Sequence, residues 1–375
     1  MAAGSFASLR ENVKYYQENN YAQLIRTIDL KNNFTNSDFV YVDEVAYDFL
    51  WRVQLKEPNI VLPNIGANIG EKYYVKPQDL PKNKNVLGPN AILLRSKCND
   101  THFVYFRLST SSYDNEMKKL VGASGQPKFN KTDLKKVSLF MPSLIEQKRI
   151  AYFLALLEER IATQNKIIED LKKLKSAIID YAINSLHCDF VKFGALYEMA
   201  GEGGTPATSN AAYYDNGNIP FIKIDDLKQK YLIEHKDFIT ELGLKKSSAW
   251  LIPTNSILYS NGATIGEISI TTYSVCTKQG ILGIVPKPII DVEFLYYFMS
   301  STYFHKAVSR IVTEGTMKTA YLKDINNIRC PIPTKEKQLD IAKMPSALNS
   351  KIDFEQSILK LFGLQKQYLL RQMFI

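Results

Sequence analysis

Two stretches of the chain, 143–186 and 334–375, repeat their apolar residues at alternating spacings of three and four. That period predicts long amphipathic helices with a coiled-coil seam. In the first stretch Ile150, Leu157, Leu171 and Ile178 fall on one heptad position, and Leu154, Ile161, Ile168 and Ala182 on the other. Ile167, Leu174 and Tyr181 widen the stripe. Pro142-Ser143 opens it, with Glu146 at capping-box spacing from Ser143, and neither proline nor glycine interrupts it. A helix of that length reaches roughly 60 Å. The pattern returns 191 residues later as Ile341, Leu348, Phe362 and Leu369 on one line, with Ile352, Leu359 and Met373 opposite. The polar interruptions coincide too: Gln164 matches Glu355, and Lys175 matches Lys366. Pro345 and Gly363 are departures, and Pro345 predicts a kink or a restart of the second helix.

The segments before the two helices, 1–142 and 187–333, carry their apolar residues in short runs between turns. Strands are predicted at 21–28, 59–62, 91–95, 219–224, 256–259, 267–271 and 280–285, and short helices at 102–108, 114–121, 292–299 and 303–311. Residues 201–206 and Asn216-Gly217 read as turns. These segments also repeat. Asn64-Ile65-Gly66-Ala67-Asn68-Ile69-Gly70-Glu71 returns as Ser260-Asn261-Gly262-Ala263-Thr264-Ile265-Gly266-Glu267, and Phe103-Val104-Tyr105-Phe106 as Phe294-Leu295-Tyr296-Tyr297. The expected fold is therefore α+β: two similar mixed α/β domains, 1–142 and 187–333, each followed by a long helix. An exposed stripe of such length must meet another apolar surface. The economical solution packs the two helices antiparallel as a coiled coil with pseudo-two-fold symmetry. The alternative folds each helix onto its own globule.

The chain has 375 residues, 45% hydrophobic and 23% charged, with a net charge of +9. Two folded domains fit that length. The basic surplus favours a polyanionic partner, although solubility alone accounts for a surplus of this size too. Cys98, Cys188, Cys276 and Cys330 are scattered, without metal spacing to His, and read as reduced structural thiols. Residues 1–16 hold Arg10, Glu11 and Lys14 and no apolar core, so no signal peptide is expected. No apolar run approaches the ~20 residues that span a bilayer, and a cytoplasmic protein is expected.

The search for catalytic residues is negative. There is no phosphate-binding G-x-x-x-x-G-K-[ST] loop and no Asn/Asp-Pro-Pro-Tyr/Phe element of amino-methyltransferases. His102, His187, His235 and His305 have no metal spacing and no Ser or Cys partner in sequence. Triplets such as Asp226-Leu227-Lys228 and Glu146-Gln147-Lys148 fall within what chance supplies among 47 basic residues.

Gly203-Gly204-Thr205-Pro206, Tyr213-Tyr214, Gly217-Asn218-Ile219-Pro220-Phe221, the turn Asn261–Gly266, and the helix entries Met141–Ala151 and Pro331–Ala342 occur in order. This layout resembles the specificity subunit of type I restriction-modification enzymes over nearly the whole chain. The first half has no counterpart of 188–203; its correspondence begins at Gly4-Ser5-Phe6, with Tyr15-Tyr16 matching Tyr213-Tyr214. The resemblance implies a non-catalytic subunit with two target-recognition domains, each reading half of an asymmetric, split duplex DNA target. It implies methyltransferase subunits docked on the helices, joined by restriction/translocase subunits. S-adenosylmethionine, ATP and Mg then belong to those partners, and this chain holds no cofactor or metal. Base-reading residues are typically polar or basic and sit on exposed turns. The candidates are Arg26, Asn64, Asn68, Gln126 and Lys128 in the first domain. In the second they are Thr205, Lys223, Asn261, Thr264, Lys278, Gln279, Thr316 and Lys318. Lys128 and Lys318 look equivalent, at an offset of 190 residues. The rival classes are a protein-bridging coiled-coil scaffold without sequence-specific DNA binding and, less favoured, a nuclease.

Overall fold

The computed structural model describes residues 12–36, 38–66, 68–120, 128–262, 264–312 and 318–374. Gly4-Ser5-Phe6, Gln126 and Thr316 lie outside the described residues. The chain divides into two compact units, residues 1–163 with 359–375, and residues 164–358.

In the first unit β1 (Ala22–Ile25), α1 (Thr27–Lys31), β2 (Val40–Val42) and α2 (Glu44–Phe49) precede β3 (Asn59–Pro63), β4 (Tyr73–Val75), β5 (Asn85–Leu87) and β6 (Ala91–Leu94). Two three-stranded sheets result, ordered β2-β1-β5 and β4-β3-β6. The expected strand over 21–28 stops at Ile25. Arg26 caps α1 there, with its N–H on the Asp29 carboxylate at 2.8 Å. Helices α3 (Thr101–Leu108), α4 (Ser111–Leu120) and α5 (Lys131–Leu134) complete the globule.

The second unit repeats this plan. It contains β7 (Phe190–Lys192), β8 (Tyr197–Glu202), β9 (Ile219–Ile222), β10 (Tyr231–Leu232), β11 (Asp237–Ile239), α6 (Glu241–Lys245) and β12 (Ile257–Ser260). There follow β13 (Ile268–Thr271), β14 (Cys276–Thr277), β15 (Ile281–Pro286), α7 (Val292–Met299), α8 (Thr302–Ile311), α9 (Leu322–Ile325) and β16 (Arg329–Pro331). The order β11-β9-β14 reproduces β2-β1-β5, with the same antiparallel and parallel partners. The order β13-β12-β15 reproduces β4-β3-β6 and is extended by β10 on one side and β8 on the other. The predicted turn at 201–206 is corrected: Gly201 and Glu202 continue β8. Gly203 and Gly204 are required by crowding, because a Cβ on either would collide with the Thr277 or Ser248–Ala249 segments.

The two long helices are αI (Leu144–Asn184) and αII (Lys335–Met373). They pair antiparallel. Within the first unit Lys366 Nζ meets Glu158 at 2.5 Å, and the Arg160 guanidinium lies 5.5 Å from the Phe362 ring. Within the second unit Gln164 donates to the Glu355 carbonyl at 3.1 Å and to its carboxylate, while Lys175 donates to Asn349 at 2.9 Å. Residues 175 and 349 correspond to 366 and 158 at the 191-residue offset, so one contact is made twice in two chemistries. Leu154, Leu157, Ile168, Ile341 and Ile352 are buried. Ile150, Ile161, Leu171, Ile178, Leu348, Leu359, Phe362 and Leu369 are half-buried. Ile167, Leu174 and Tyr181 are instead exposed, the last 78% so. Ile179 and Ile183, each two positions from Tyr181, turn inward to the core of the second globule with Phe298 and Leu295. The two arrangements weighed from sequence therefore coexist. Phe374, just past αII, joins Phe103, Phe106 and Leu154 in the first unit, and Ile341 and Ala342 of αII join the second core. Pro345 does not restart αII; it is buried at the position equivalent to Leu154.

A glutamine fastens each helix to its globule. Gln147 accepts the Asp100 N–H at 2.9 Å and donates to the Pro142 carbonyl at 2.9 Å. Gln338 accepts the Asp291 N–H at 2.7 Å and donates to the Pro333 carbonyl at 2.9 Å. Asp100 and Asp291 in turn cap α3 and α7 through Phe103 and Phe294 N–H groups.

Leu154 is fully buried, so Leu154→Ala should lower unfolding free energy by about 2–5 kcal/mol in urea titrations. Tyr181→Ala should change it by under about 0.5 kcal/mol. Hydrogen bonds from Lys351 and Gln164 hold the Glu355 carboxyl below its ordinary value of 4.5. A carboxyl depressed by folding contributes stability above its unfolded value and loses it as pH falls through the folded one. The urea midpoint of wild type should therefore converge on that of Glu355→Gln as pH is lowered from 4.5, and a constant gap would contradict this pairing.

Candidate nucleic-acid interface

In the second unit the parallel strands β9 and β14 run side by side and end together. Cys276 pairs with Phe221 and Thr277 with Ile222, and the Lys278 N–H continues the ladder to the Ile222 carbonyl at 2.9 Å. Lys223 and Lys278 thus leave the sheet at adjacent positions. The Gln279 N–H donates to Thr205 Oγ1 at 3.3 Å, which adds the segment after β8. Gly280, at φ +91°, turns the chain, and its carbonyl accepts the Asn261 N–H at 3.0 Å. The Asn261 carbonyl accepts the Ala320 N–H at 2.9 Å. One chain of backbone contacts therefore gathers Thr205, Lys223, Lys278 and Gln279 with the turn that carries Thr264 and with the segment that carries Lys318. Thr264, Lys278, Gln279 and Lys318 are exposed, and Thr205 is half-buried. Lys223 Nζ rests 2.8 Å from Asp237, which leaves its remaining donors to solvent.

Asn261 leaves the candidate surface. It is 1% exposed, and its side-chain amide donates to the Ala320 carbonyl at 3.2 Å. Its Nδ2 ties the glycine turn to the segment that carries Ala320.

The first unit builds the same corner with different side chains. Asn64 donates to the Phe129 carbonyl at 3.1 Å, as Asn261 does to Ala320, so Asn64 is the counterpart of Asn261 rather than of Ser260. The same pairing makes Thr319, not Lys318, the counterpart of Lys128, which corrects the apparent equivalence of the two lysines. Lys128 is exposed and bridges Ile65 through its backbone. Arg26 stands where Lys223 stands, but its guanidinium is committed to Asp29 at 2.7 Å and Asp38 at 3.3 Å. Hydrogen bonding to Asp29 raises the Arg26 pKa further above its ordinary value. Asn68 accepts from Lys31 Nζ at 2.9 Å. The Gly88 N–H bonds the Ile25 carbonyl at 2.8 Å, so Gly88-Pro89-Asn90 occupies the place of Lys278-Gln279-Gly280. Asn90 is exposed at φ +71°, and with Lys31 it belongs to this corner although neither stood out in sequence. A non-glycine residue matching Gly280 in the strand alignment was the available signal.

Other chemistry is sparse. Among the described residues no group of three His, Cys, Asp or Glu side chains could hold a metal. Burial pushes the Cys276 thiol up to about 11 and raises that of Cys330 as well, which suits inert core thiols. No helix among the described residues is long and apolar enough to cross a membrane.

Comparison with known proteins agrees with this architecture. Residues 9–173 and 188–361 each match the type I restriction modification DNA specificity domain. A putative type I restriction enzyme MjaX specificity subunit of Methanocaldococcus jannaschii is 25% identical over 342 residues, covering 84% of this chain and 77% of that protein. The MjaVIII specificity subunit of the same organism is 24% identical, covering 80% and 75%. Among solved structures, one from work on complex assembly and conformational transition of the type I R-M system superposes with a TM-score of 0.58 at 13% identity. It covers 97% of this chain and 92% of its own. The type I restriction-modification S subunit from M. genitalium gives 0.53 at 16% identity, covering 85% and 83%. The chain belongs to the type I restriction-modification DNA specificity family, whose members are the non-catalytic recognition subunits of those systems.

Proposed function

We propose that this chain reads a split, asymmetric duplex DNA target, with each domain (1–142 and 187–333) recognising one half. Methyltransferase subunits dock on the helices 143–186 and 334–375, and restriction/translocase subunits join them. S-adenosylmethionine, ATP and Mg act in those partners, and the assembly works in the cytoplasm. The observation that carries this reading is the corner where β9 and β14 end. Thr205, Lys223, Lys278, Gln279, Thr264 and Lys318 converge there from separate segments, with two lysines in register. Lysines on such an edge supply sequence-independent phosphate contacts, and Gln279 and Thr205 offer the donors and acceptors that distinguish base edges. The equivalent corner of the first unit presents Gly88, Pro89 and Asn90 instead. Different side chains on the same backbone predict different half-sites, which duplication of an unchanged domain would not produce.

Duplex binding by the complex assembled with its methyltransferase subunits should fall steeply with salt, with a log–log slope of about −0.9 per phosphate contacted. Lys278→Ala and Lys318→Ala should each weaken binding to all duplexes and reduce that slope by about one. A flat salt response would favour the protein-bridging scaffold. Gln279→Ala should relax preference at one base pair by about 1–3 kcal/mol, read as altered methylation in a host methylome, while leaving the salt slope unchanged.

A further inference from the structure

The two units differ where β4, or β10 beside β13, lies against a long helix. In the second unit this junction is closed by a polar plug. The Lys230 side chain, 3% exposed, places its ammonium 2.8 Å from Glu293 and 2.8 Å from Ser346 Oγ. The rings of Tyr231 and Tyr297 lie 4.8 and 4.9 Å from it, and the Tyr231 hydroxyl also bonds Glu293. Burial lowers the Lys230 pKa, while hydrogen bonds from Lys230, Ser346 and Tyr231 outweigh burial and hold the Glu293 carboxyl below its usual range.

Every polar member of that plug is replaced in the first unit. Counting from the paired strands aligns Asn33 with Lys230 and Phe34 with Tyr231 in sequence, although Asn33 and Phe34 turn at positive φ where Tyr231 enters β10. The helix correspondence puts His102 for Glu293, Phe106 for Tyr297 and Ala155 for Ser346. Asn33 is exposed. What remains is a cavity of about 780 Å³, lined among others by Asn33, Phe34, Tyr74, His102, Ala155 and Glu158. The His102 ring is stacked on Tyr74, with centroids 4.0 Å apart, and its buried Nε2 has no hydrogen-bond partner among the described residues. That nitrogen lies 4.0 Å from Glu158 Oε2, while Glu158 Oε1 is the oxygen that Lys366 and Tyr105 engage. With the imidazole proton on Nδ1, Nε2 and Oε2 are both acceptors and cannot bond each other. An ammonium group, which carries three N–H bonds, can donate one to each. Aromatic walls favour the same charge. Of the two lysines on the lining, Lys72 is paired with Asp114 and Lys76 lies 5.9 Å from the centre of the Tyr74 ring.

We propose that this cavity is a receptor for an organic cation, an alkylammonium group that sits between His102 Nε2 and Glu158 and does in trans what Lys230 does in cis in the second unit. The ammonium arrives either on a free amine or on a lysine side chain of a partner subunit.

Filling the cavity from within tests the chemistry first. Asn33→Lys should raise the melting temperature of the full chain by about 2–4 °C over Asn33→Met, which has a similar reach without the charge. Glu158→Gln should cancel that difference. Equal melting temperatures for the Lys and Met variants would overturn the proposal. The second measurement is calorimetric titration of the full chain with n-pentylammonium, with inorganic phosphate as the probe of opposite charge. Saturable binding of the amine, weakened at least tenfold by Asn33→Lys and by Ala155→Leu, identifies a free amine as a ligand. A tenfold loss of methyltransferase-subunit affinity in Asn33→Lys but not in Asn33→Met assigns the ammonium to a partner lysine. Preference for phosphate, or amine binding that survives both filling substitutions, sinks the idea. So does absence of both the amine binding and the assembly defect.

Discussion

The buried polar pair Gln164–Glu355 is the constraint on which the helix pairing turns. Two apolar stripes with a seven-residue period could bury nearly the same area in several registers. The amide and carboxylate remove that degeneracy. Lys351 approaches Glu355 at 2.5 Å, and Gln164 donates to it from the facing helix. A slip of one heptad would leave a carboxylate facing leucine and isoleucine, at a cost of about 1–3 kcal/mol or more for each orphaned group. Polar seam residues that set register at some expense of stability are a known device of coiled coils. Here the residue and its partner are copies of each other in the internal repeat, so one position of the ancestral unit supplies both halves of the contact.

Duplication has treated the structural polar groups and the exposed ones differently. The glutamines at 147 and 338 make the same bonds to an aspartate N–H and a proline carbonyl in both units. Asn64 and Asn261 make the same bond across the glycine turn. These groups are buried or half-buried, and changing one strands its partner. At the corner of the second unit Lys278 and Gln279 are exposed, and their counterparts are the buried Gly88 and the half-buried Pro89. Conserved scaffolding under divergent edges is what two domains reading different sequences require. The cavity at the β4 junction is the exception: all five positions of the plug have changed, although of these only Lys230 and Tyr297 are fully buried in the second unit.

Much of this was legible in the chain itself. Heptad spacing located both long helices, because an exposed apolar stripe of that length has to be covered whatever covers it. The strands at 59–63, 91–94, 219–222 and 281–286, and the helices at 101–108 and 292–299, follow from short apolar runs bounded by turn residues and Asp caps. Exposed polar turns identified Thr205, Lys278 and Gln279, but their convergence depends on β9 and β14 ending in parallel register, and pairing between segments fifty residues apart leaves no local mark. Asn261 and Thr264, three residues apart in one turn, look alike in sequence; which of them is buried is decided by Ala320 arriving from a distant segment. The same holds for Arg26, whose charge invites a phosphate until Asp29 and Asp38 close on it. Local periodicity thus determined the elements and the repeat. Only tertiary structure decided which polar groups are spent internally, because hydrogen-bond partners distant in sequence meet only when the sheets assemble.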